Sequence, residues 1–176
     1  MIRKIVRDQK GLTLVEMLIV VILMGIIAAV AIPRFTTATN DALDNTLSAN
    51  LASLRTVIEL YAAQHNGRFP GQVKETDGTT AVSSNAEAAT AFVAQLAQYS
   101  DVSGKVSATK DPNYPFGPYF RTGIPKNPLP SNSSTVVADY VTVATLVGTG
   151  ASGGTGWKVA AQTGQIIANN SNYDNR

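Results

Sequence analysis

The sequence predicts an α+β fold in which a long hydrophobic N-terminal helix packs on a small head with an antiparallel β-sheet. Residues 12–32 form an almost unbroken apolar run, and residues 43–61 carry apolar side chains at helical spacing. Residues 135–168 are rich in β-branched side chains and contain a turn signal. A sheet of three or four strands against the helix would bury its apolar stripe.

Charge and composition exclude several classes of function. Four basic residues against one acidic residue give residues 1–11 a charge of +3, which leaves −1 for the rest of the 176-residue chain. A nucleic-acid partner would require a basic face, so none is predicted for the body of the protein. The chain has no cysteine, which excludes disulfides, thiolate nucleophiles and cysteine-ligated metals.

The apolar run has the length of a membrane span. As a helix, its 21 residues would extend about 30 Å, the thickness of the hydrocarbon core of a bilayer. A cleaved secretory signal is disfavoured because its apolar region is shorter and is followed by a small-residue cleavage site. A simple signal anchor fits the length and the preceding positive charge, but it leaves Glu16 unexplained. An unpaired carboxylate in a span costs about 2.5–3.5 kcal/mol on insertion scales, and less near the membrane edge.

The string from Gly11 to Glu16, GLTLVE, follows a short basic leader and precedes the apolar run. This arrangement resembles the class III signal of type IV pilins and type II secretion pseudopilins. Pro33 lies 22 positions after Gly11, where many of these proteins carry a proline. The resemblance is strong over residues 10–35 and faint in the head, and it implies a pilin-like fold.

The resemblance also implies a processing route and an assembly role. A prepilin peptidase would cleave between Gly11 and Leu12 and methylate the new amine of Leu12, where most family members have phenylalanine. In a filament, Glu16 would pair with the amine of an adjacent subunit. The partners implied are further copies of the chain, the peptidase and an inner-membrane assembly platform.

The predicted organisation is a leader at 1–11, a membrane or filament-core helix at 12–33, an amphipathic stem helix at 34–66 and a head at 67–176. We expect the stem to bend or unwind between Gly25 and Pro33 during assembly. The alternative is a helix boundary at Pro33. The amphipathic helix should end near His65, where Asn66 and Gly67 supply a stop signal. Its apolar stripe comprises Leu43, Leu47, Leu51, Leu54, Ile58 and Tyr61.

The head is predicted to contain one helix and several strands. Ser84 and Glu87 form a capping-box pattern at the start of that helix. Six prolines between 112 and 130 exclude regular helix there and predict a folded loop. Its aromatic side chains are candidates for anchoring the loop on the core: Tyr114, Phe116, Tyr119 and Phe120. Residues 135–147 read as a strand, residues 148–156 as a link, and residues 157–160 with 165–168 as a hairpin.

The sequence contains fragments of catalytic and cofactor-binding motifs without the neighbouring motifs or structural elements that those functions need. The glycines of residues 148–153 match a dinucleotide fingerprint, but no βαβ unit surrounds them. Residues 107–110 match a Ser-x-x-Lys pair without its partner motifs, and His65 reads as a residue at a helix C-terminus. Asp139 and Asp174 are too far apart in sequence for a compact calcium loop, so calcium stays an unsupported alternative. No cofactor and no enzymatic activity are predicted.

The predicted function is that of a structural subunit in a filament of the type IV pilus family. Before assembly the subunit would be anchored in the inner membrane with its head outside the cytoplasm. Two machines fit, a type II secretion pseudopilus and a surface pilus for adhesion, motility or DNA uptake. The missing cysteines slightly favour the pseudopilus, because many surface pilins close a loop with a disulfide. A monomeric, membrane-anchored binding module is the alternative from another class.

Overall fold

The computed structural model describes residues 11–129, 133–141, 145–148 and 156–173. Two helices and five strands occur there, and the chain divides into two compact units between Ala42 and Leu43. The elements in chain order are α1 (Leu14–Gln64), α2 (Asn85–Ala97), β1 (Tyr99–Ser100), β2 (Val106–Ser107), β3 (Val136–Asp139), β4 (Trp157–Ala160) and β5 (Ile166–Ala168). The α+β class is therefore confirmed.

Helix α1 is continuous over 51 residues and ends where the sequence predicts. Asn66 and Gly67 both adopt positive φ angles, 56° and 78°, which a helix cannot continue. The Gly67 amide donates to the carbonyl of Ala62 at 2.8 Å and so closes the last turn. The alternative of a helix boundary at Pro33 is wrong, because Pro33 lies inside α1.

The predicted apolar stripe of α1 forms one wall of the head core. Its members from Leu47 to Tyr61 are buried, whereas Leu43 at the start of the stripe is half-buried. They share one core cluster with Phe92 of α2 and Trp157 of β4. The helical spacing of the stripe therefore identified the buried face correctly.

The start of α2 carries a variant of the predicted capping box. The Ser84 hydroxyl accepts a hydrogen bond from the Glu87 amide at 3.2 Å, as expected for an N-cap residue. The Glu87 carboxylate, however, accepts from the amide and hydroxyl of Ser83, each at 2.8 Å, rather than from the Ser84 amide. Lys74 approaches the same carboxylate at 3.1 Å, which links the helix start to the preceding loop.

The three-stranded sheet has the order β3-β4-β5 and is mixed, which corrects the prediction of a purely antiparallel sheet. The hairpin of β4 and β5 is antiparallel as predicted, but β3 pairs with β4 in parallel. A parallel pair requires a crossover of about a dozen residues or more, and residues 140–156 supply that length. Leu146, within this crossover, packs on Ala160 and Ile167 in a small cluster of its own.

The strand predicted over residues 135–147 is shorter than expected. Strand β3 ends at Asp139, whose side chain pairs with Lys158 at 3.4 Å. Residues 142–144 of the predicted strand and residues 149–155 of the predicted link lie outside the described residues. The run of β-branched residues indicated the strand but not its end.

The proline-rich segment is a folded loop fixed by aromatic side chains, as predicted. The amides of Tyr119 and Phe120 both donate to the carbonyl of Leu96 at 3.0 Å, and both side chains pack against the core. Phe116 lies 5.2 Å from His65 between ring centroids. The loop therefore covers the C-terminal ends of both helices.

A buried glutamine connects α2 to the two loops on one side of the head. Gln95 is fully buried, and its side-chain oxygen accepts from the Gly71 amide at 2.8 Å. Its amide group donates to the carbonyls of Val73 and Gly104 at 3.1 and 2.9 Å. One side chain thus satisfies three backbone groups that water cannot reach.

His65 is buried in the head, whereas the sequence placed it only at a helix end. Its Nδ1 lies 2.8 Å from the carbonyl of Tyr61, and its Nε2 lies 3.0 Å from the Ser100 hydroxyl. Its ring stacks on the Tyr61 ring with centroids 3.7 Å apart. A neutral ring that donates from Nδ1 and accepts at Nε2 satisfies both contacts. Burial lowers the pKa of His65 accordingly.

Replacing Gln95 with alanine should lower the free energy of unfolding of the head by roughly 2–4 kcal/mol, because each buried polar group left unsatisfied costs about 1–3 kcal/mol. Urea titration of the detergent-solubilised chain, followed by the fluorescence of its single tryptophan, measures this change. Gln98→Ala is the matched control, since Gln98 is half-buried and its side chain has no hydrogen bond among the described residues. Equal effects of the two substitutions would contradict this account.

The stability of the head should fall as the pH drops from 7 to 5. The lowered pKa means that the unfolded state takes up a proton near pH 6.5 while the folded state does not. The stabilisation is therefore complete above pH 6.5 and is lost below it, by at most about 1.4 kcal/mol per pH unit. The pKa values of Asp77 and Glu87 are lowered to about 2, so these carboxylates affect the stability only at pH values below this range. Urea titrations at several pH values test this, and His65→Gln should show no such slope.

Candidate functional site

The first half of α1 exposes a continuous apolar surface. The large apolar side chains between Leu14 and Ile32 are 42–83% exposed, and the helix is long and apolar enough to cross a membrane. Exposed apolar surface of this extent marks a contact with lipid or with another protein.

The chain is not helical immediately before this surface. Residues 11–13 are exposed and lie outside α1, which begins at Leu14. Thr13 is the N-cap residue, because its carbonyl accepts the first helical hydrogen bond, from the Met17 amide at 3.2 Å. The bond between Gly11 and Leu12, the predicted cleavage site, therefore lies in accessible, non-helical chain.

Glu16 forms a reciprocal capping box with Thr13. The Thr13 hydroxyl accepts from the Glu16 amide at 3.2 Å, and Glu16 Oε2 accepts from the Thr13 amide at 2.8 Å. The Thr13 hydroxyl also donates to the same oxygen at 2.7 Å. This contact was not predicted from the sequence, although Thr-x-x-Glu before an apolar run is a standard helix-start pattern.

The capping box leaves part of the Glu16 carboxylate available. All its hydrogen bonds reach Oε2, and Oε1 has no partner among the described residues. In the same part of the chain, no basic side chain pairs with this carboxylate. Thr13 therefore positions the carboxylate without neutralising its charge.

Gly25 and Pro33 lie farther along the same exposed helix. Pro33 has no amide proton and so removes one hydrogen bond from the helical ladder. The hydroxyls of Thr36 and Thr37 donate to the carbonyls of Ile32 and Pro33 at 3.2 and 3.1 Å, a contact that competes with helical bonding. Nothing lies within 4 Å of a side-chain position at Gly25. The structure therefore places Glu16 in hydrogen-bond contact with Thr13, the residue after Leu12, and places Pro33 on a stretch of helix with weakened hydrogen bonding.

The remaining candidates show no catalytic arrangement. Ser107 donates its hydroxyl to the carbonyl of Thr109 instead of pairing with Lys110. His65 is occupied by its own buried contacts. No group of three or more potential metal ligands occurs among the described residues, and Asp174 lies outside them. Of the glycines in the dinucleotide-like string, only Gly148 falls within the described residues, and it packs against the backbone of Asn170.

Comparisons with known proteins match the N-terminal segment to a family model and the chain to a pilus component. A family model described as the prokaryotic N-terminal methylation motif matches residues 6–32. The type IV narrow pilus major component PilA5 of Thermus thermophilus is 32% identical, over 46% of this chain and 83% of that protein. No solved structure matches the chain.

Proposed function

Because the chain belongs to the type IV pilin family, and is thus a structural subunit, we propose that it assembles into a surface type IV pilus. The relative that carries this proposal is the major component of a type IV narrow pilus. The absence of cysteine slightly favours a secretion pseudopilus. The similarity to a pilus component carries more weight. The pseudopilus is therefore the competing outcome of the test below.

Processing begins at the accessible bond between Gly11 and Leu12. A prepilin peptidase removes residues 1–11 and methylates the new amine of Leu12. The exposed, non-helical conformation of residues 11–13 supports this step, because a peptidase binds extended chain more readily than helix. The N-cap at Thr13 stops the helix from reaching the bond.

The mature subunit waits in the inner membrane with residues 12–33 as its span. Before cleavage, the basic residues of the leader lie on the cytoplasmic side, as the positive-inside rule requires, so that the stem at 34–66 and the head at 67–176 lie outside. An inner-membrane assembly platform then transfers the subunit to the filament, where other copies cover the apolar surface. The Gly25–Pro33 stretch, already short of one hydrogen bond, adjusts in that packing.

Glu16 makes the assembly selective. An ionised group in an apolar environment is tolerated when it is paired, and removing one partner costs about 3–5 kcal/mol. In the filament the Leu12 amine of a neighbouring subunit reaches Glu16 Oε1, while Thr13 keeps its bonds to Oε2. Because the Leu12 amine exists only after cleavage, an unprocessed subunit offers no partner to the Glu16 carboxylate of its neighbour.

The proposal is tested on native cells by shearing, electron microscopy and mass spectrometry of the released fraction. Abundant sheared filaments, with a subunit that begins at methylated Leu12, are the expected result. Processed protein found only in the envelope would instead identify a pseudopilus. Protein that retains residues 1–11 would contradict the processing route.

Substitutions at Glu16 separate the charge from the capping box. In cells without the wild-type chain, Glu16→Ala should reduce sheared filaments at least tenfold, which is about 1.4 kcal/mol of lost pairing. Glu16→Gln should do the same, although glutamine still completes a capping box.

Glu59→Ala is the matched control, because it removes an exposed carboxylate from the same helix. If Glu16→Gln subunits assemble at the wild-type level, the capping box and not the charge is what assembly requires.

A further inference from the structure

The face of α1 directly beyond the apolar run carries two opposite charges without partners. Arg34 and Asp41 are both exposed, and neither has an ion pair or a hydrogen bond among the described residues. Together with Pro33, Thr37 and Ala38 they line a shallow groove along the helix. We propose that Arg34 of one subunit pairs with Asp41 of a second copy of this chain in the filament.

Helix geometry makes this groove complementary to a shifted copy of itself. Seven residues correspond to almost two full turns, so Arg34 and Asp41 lie on nearly the same face, about 10 Å apart along the axis. They cannot pair within one helix, because side chains tilt toward the N-terminus and Arg34 therefore leans away from Asp41. A parallel copy displaced by about two turns brings its Arg34 level with Asp41 of the first.

The side chains between the two charges permit the close approach that this pairing needs. Thr37 and Ala38 are short, and the Thr37 hydroxyl is turned back onto the carbonyl of Pro33. Short side chains allow two helices to approach closely, as in tightly packed membrane helices. A row of side chains from a neighbouring helix can therefore pack into the groove, between Arg34 and Asp41.

The direction of the displacement agrees with that of the proposed N-terminal contact. In both pairs the positive group precedes the negative group along the helix, Leu12 before Glu16 and Arg34 before Asp41. A parallel neighbour that is displaced toward the C-terminus therefore brings a positive group toward a negative one at both levels. The displacements are about 6 Å for the first pair and about 10 Å for the second, a difference that the long arginine side chain can span. The groove also continues directly from the apolar surface that other copies cover in the proposed filament.

The position of Arg34 argues for a specific role. The positive-inside rule places basic residues on the cytoplasmic side of a span. Arg34 lies on the other side in the proposed orientation, so orientation in the membrane does not account for it. The inference rests on the proposed function, since it requires a filament of parallel subunits.

Charge exchange tests the pair in cells that lack the wild-type chain. Arg34→Glu and Asp41→Lys should each reduce sheared filaments at least tenfold, because each places like charges opposite one another. The double variant R34E/D41K should restore filaments to within about threefold of the wild-type amount. The amount of each subunit in the membrane fraction is measured in parallel, so that loss of insertion is distinguished from loss of assembly.

Cross-linking provides a second readout, because the chain has no cysteine of its own. In filaments of R34C/D41C, a short bismaleimide should produce a ladder of linked subunits. Replacing both partners with neutral residues leaves no unpaired charge, so these filaments should form. R34C/T39C/D41A is the matched control, since it also removes both charges, and Thr39 lies about 160° around the helix from position 41 and should give no ladder.

The outcomes separate this inference from the function on which it rests. If wild-type filaments form, any of three results would overturn the ion pair alone. These are single variants that assemble normally, a double variant that is not rescued, and equal ladders from both cysteine pairs. An absence of wild-type filaments would overturn both proposals.

Discussion

The apolar surface on the first half of α1 is the constraint on which the behaviour of this protein depends. More than a dozen large apolar side chains are exposed there, and burying each one is worth about 1.5–3 kcal/mol. The core of the head is filled by its own residues, the stripe from Leu47 to Tyr61 together with the sheet and α2. The exposed surface therefore requires a cover of lipid or protein, so a free aqueous monomer is not a stable end state.

Helix α1 can both carry the exposed apolar surface and line the core of the head, because its two halves differ in the spacing of their apolar residues. Residues 17–32 are apolar on every side, which is typical of a segment surrounded by lipid or by other helices. From Leu43 onward the apolar residues narrow to one stripe, which the head buries. Threonines at 36, 37 and 39 lie between these halves and bond to helical carbonyls one turn back. Together with Pro33, they mark this junction as a stretch where other contacts compete with the helical hydrogen bonds.

Local pattern predicted both helices and strands β3 to β5, but it missed the short strands β1 and β2. The errors in pairing and burial concern contacts distant in sequence. The stripe, the stop at Asn66 and Gly67, and the β4–β5 hairpin followed from spacing and turn chemistry alone. The parallel pairing of β3 with β4 did not, because a run of β-branched residues indicates a strand but not its direction relative to another strand. The burial of His65 depends on Ser100 and Phe116, which reach it from the loop. The capping box of Thr13 and Glu16, by contrast, follows a standard Thr-x-x-Glu pattern and was predictable from the sequence, although it was not predicted.

Apolar burial drives helices together but does not decide their register. An all-apolar helix that slides past its neighbour by one turn exchanges one set of methyl contacts for a similar set, so the free energy changes little. A charge inside that contact removes this freedom, because only one displacement places it beside its partner and every other leaves it unpaired. Two charged pairs, one at each end of the apolar stretch, restrict tilt as well as translation. A subunit with Glu16 at one end and the Arg34–Asp41 groove at the other would thus have its position along the filament fixed by a few polar atoms, while the apolar surface between them supplies most of the cohesion.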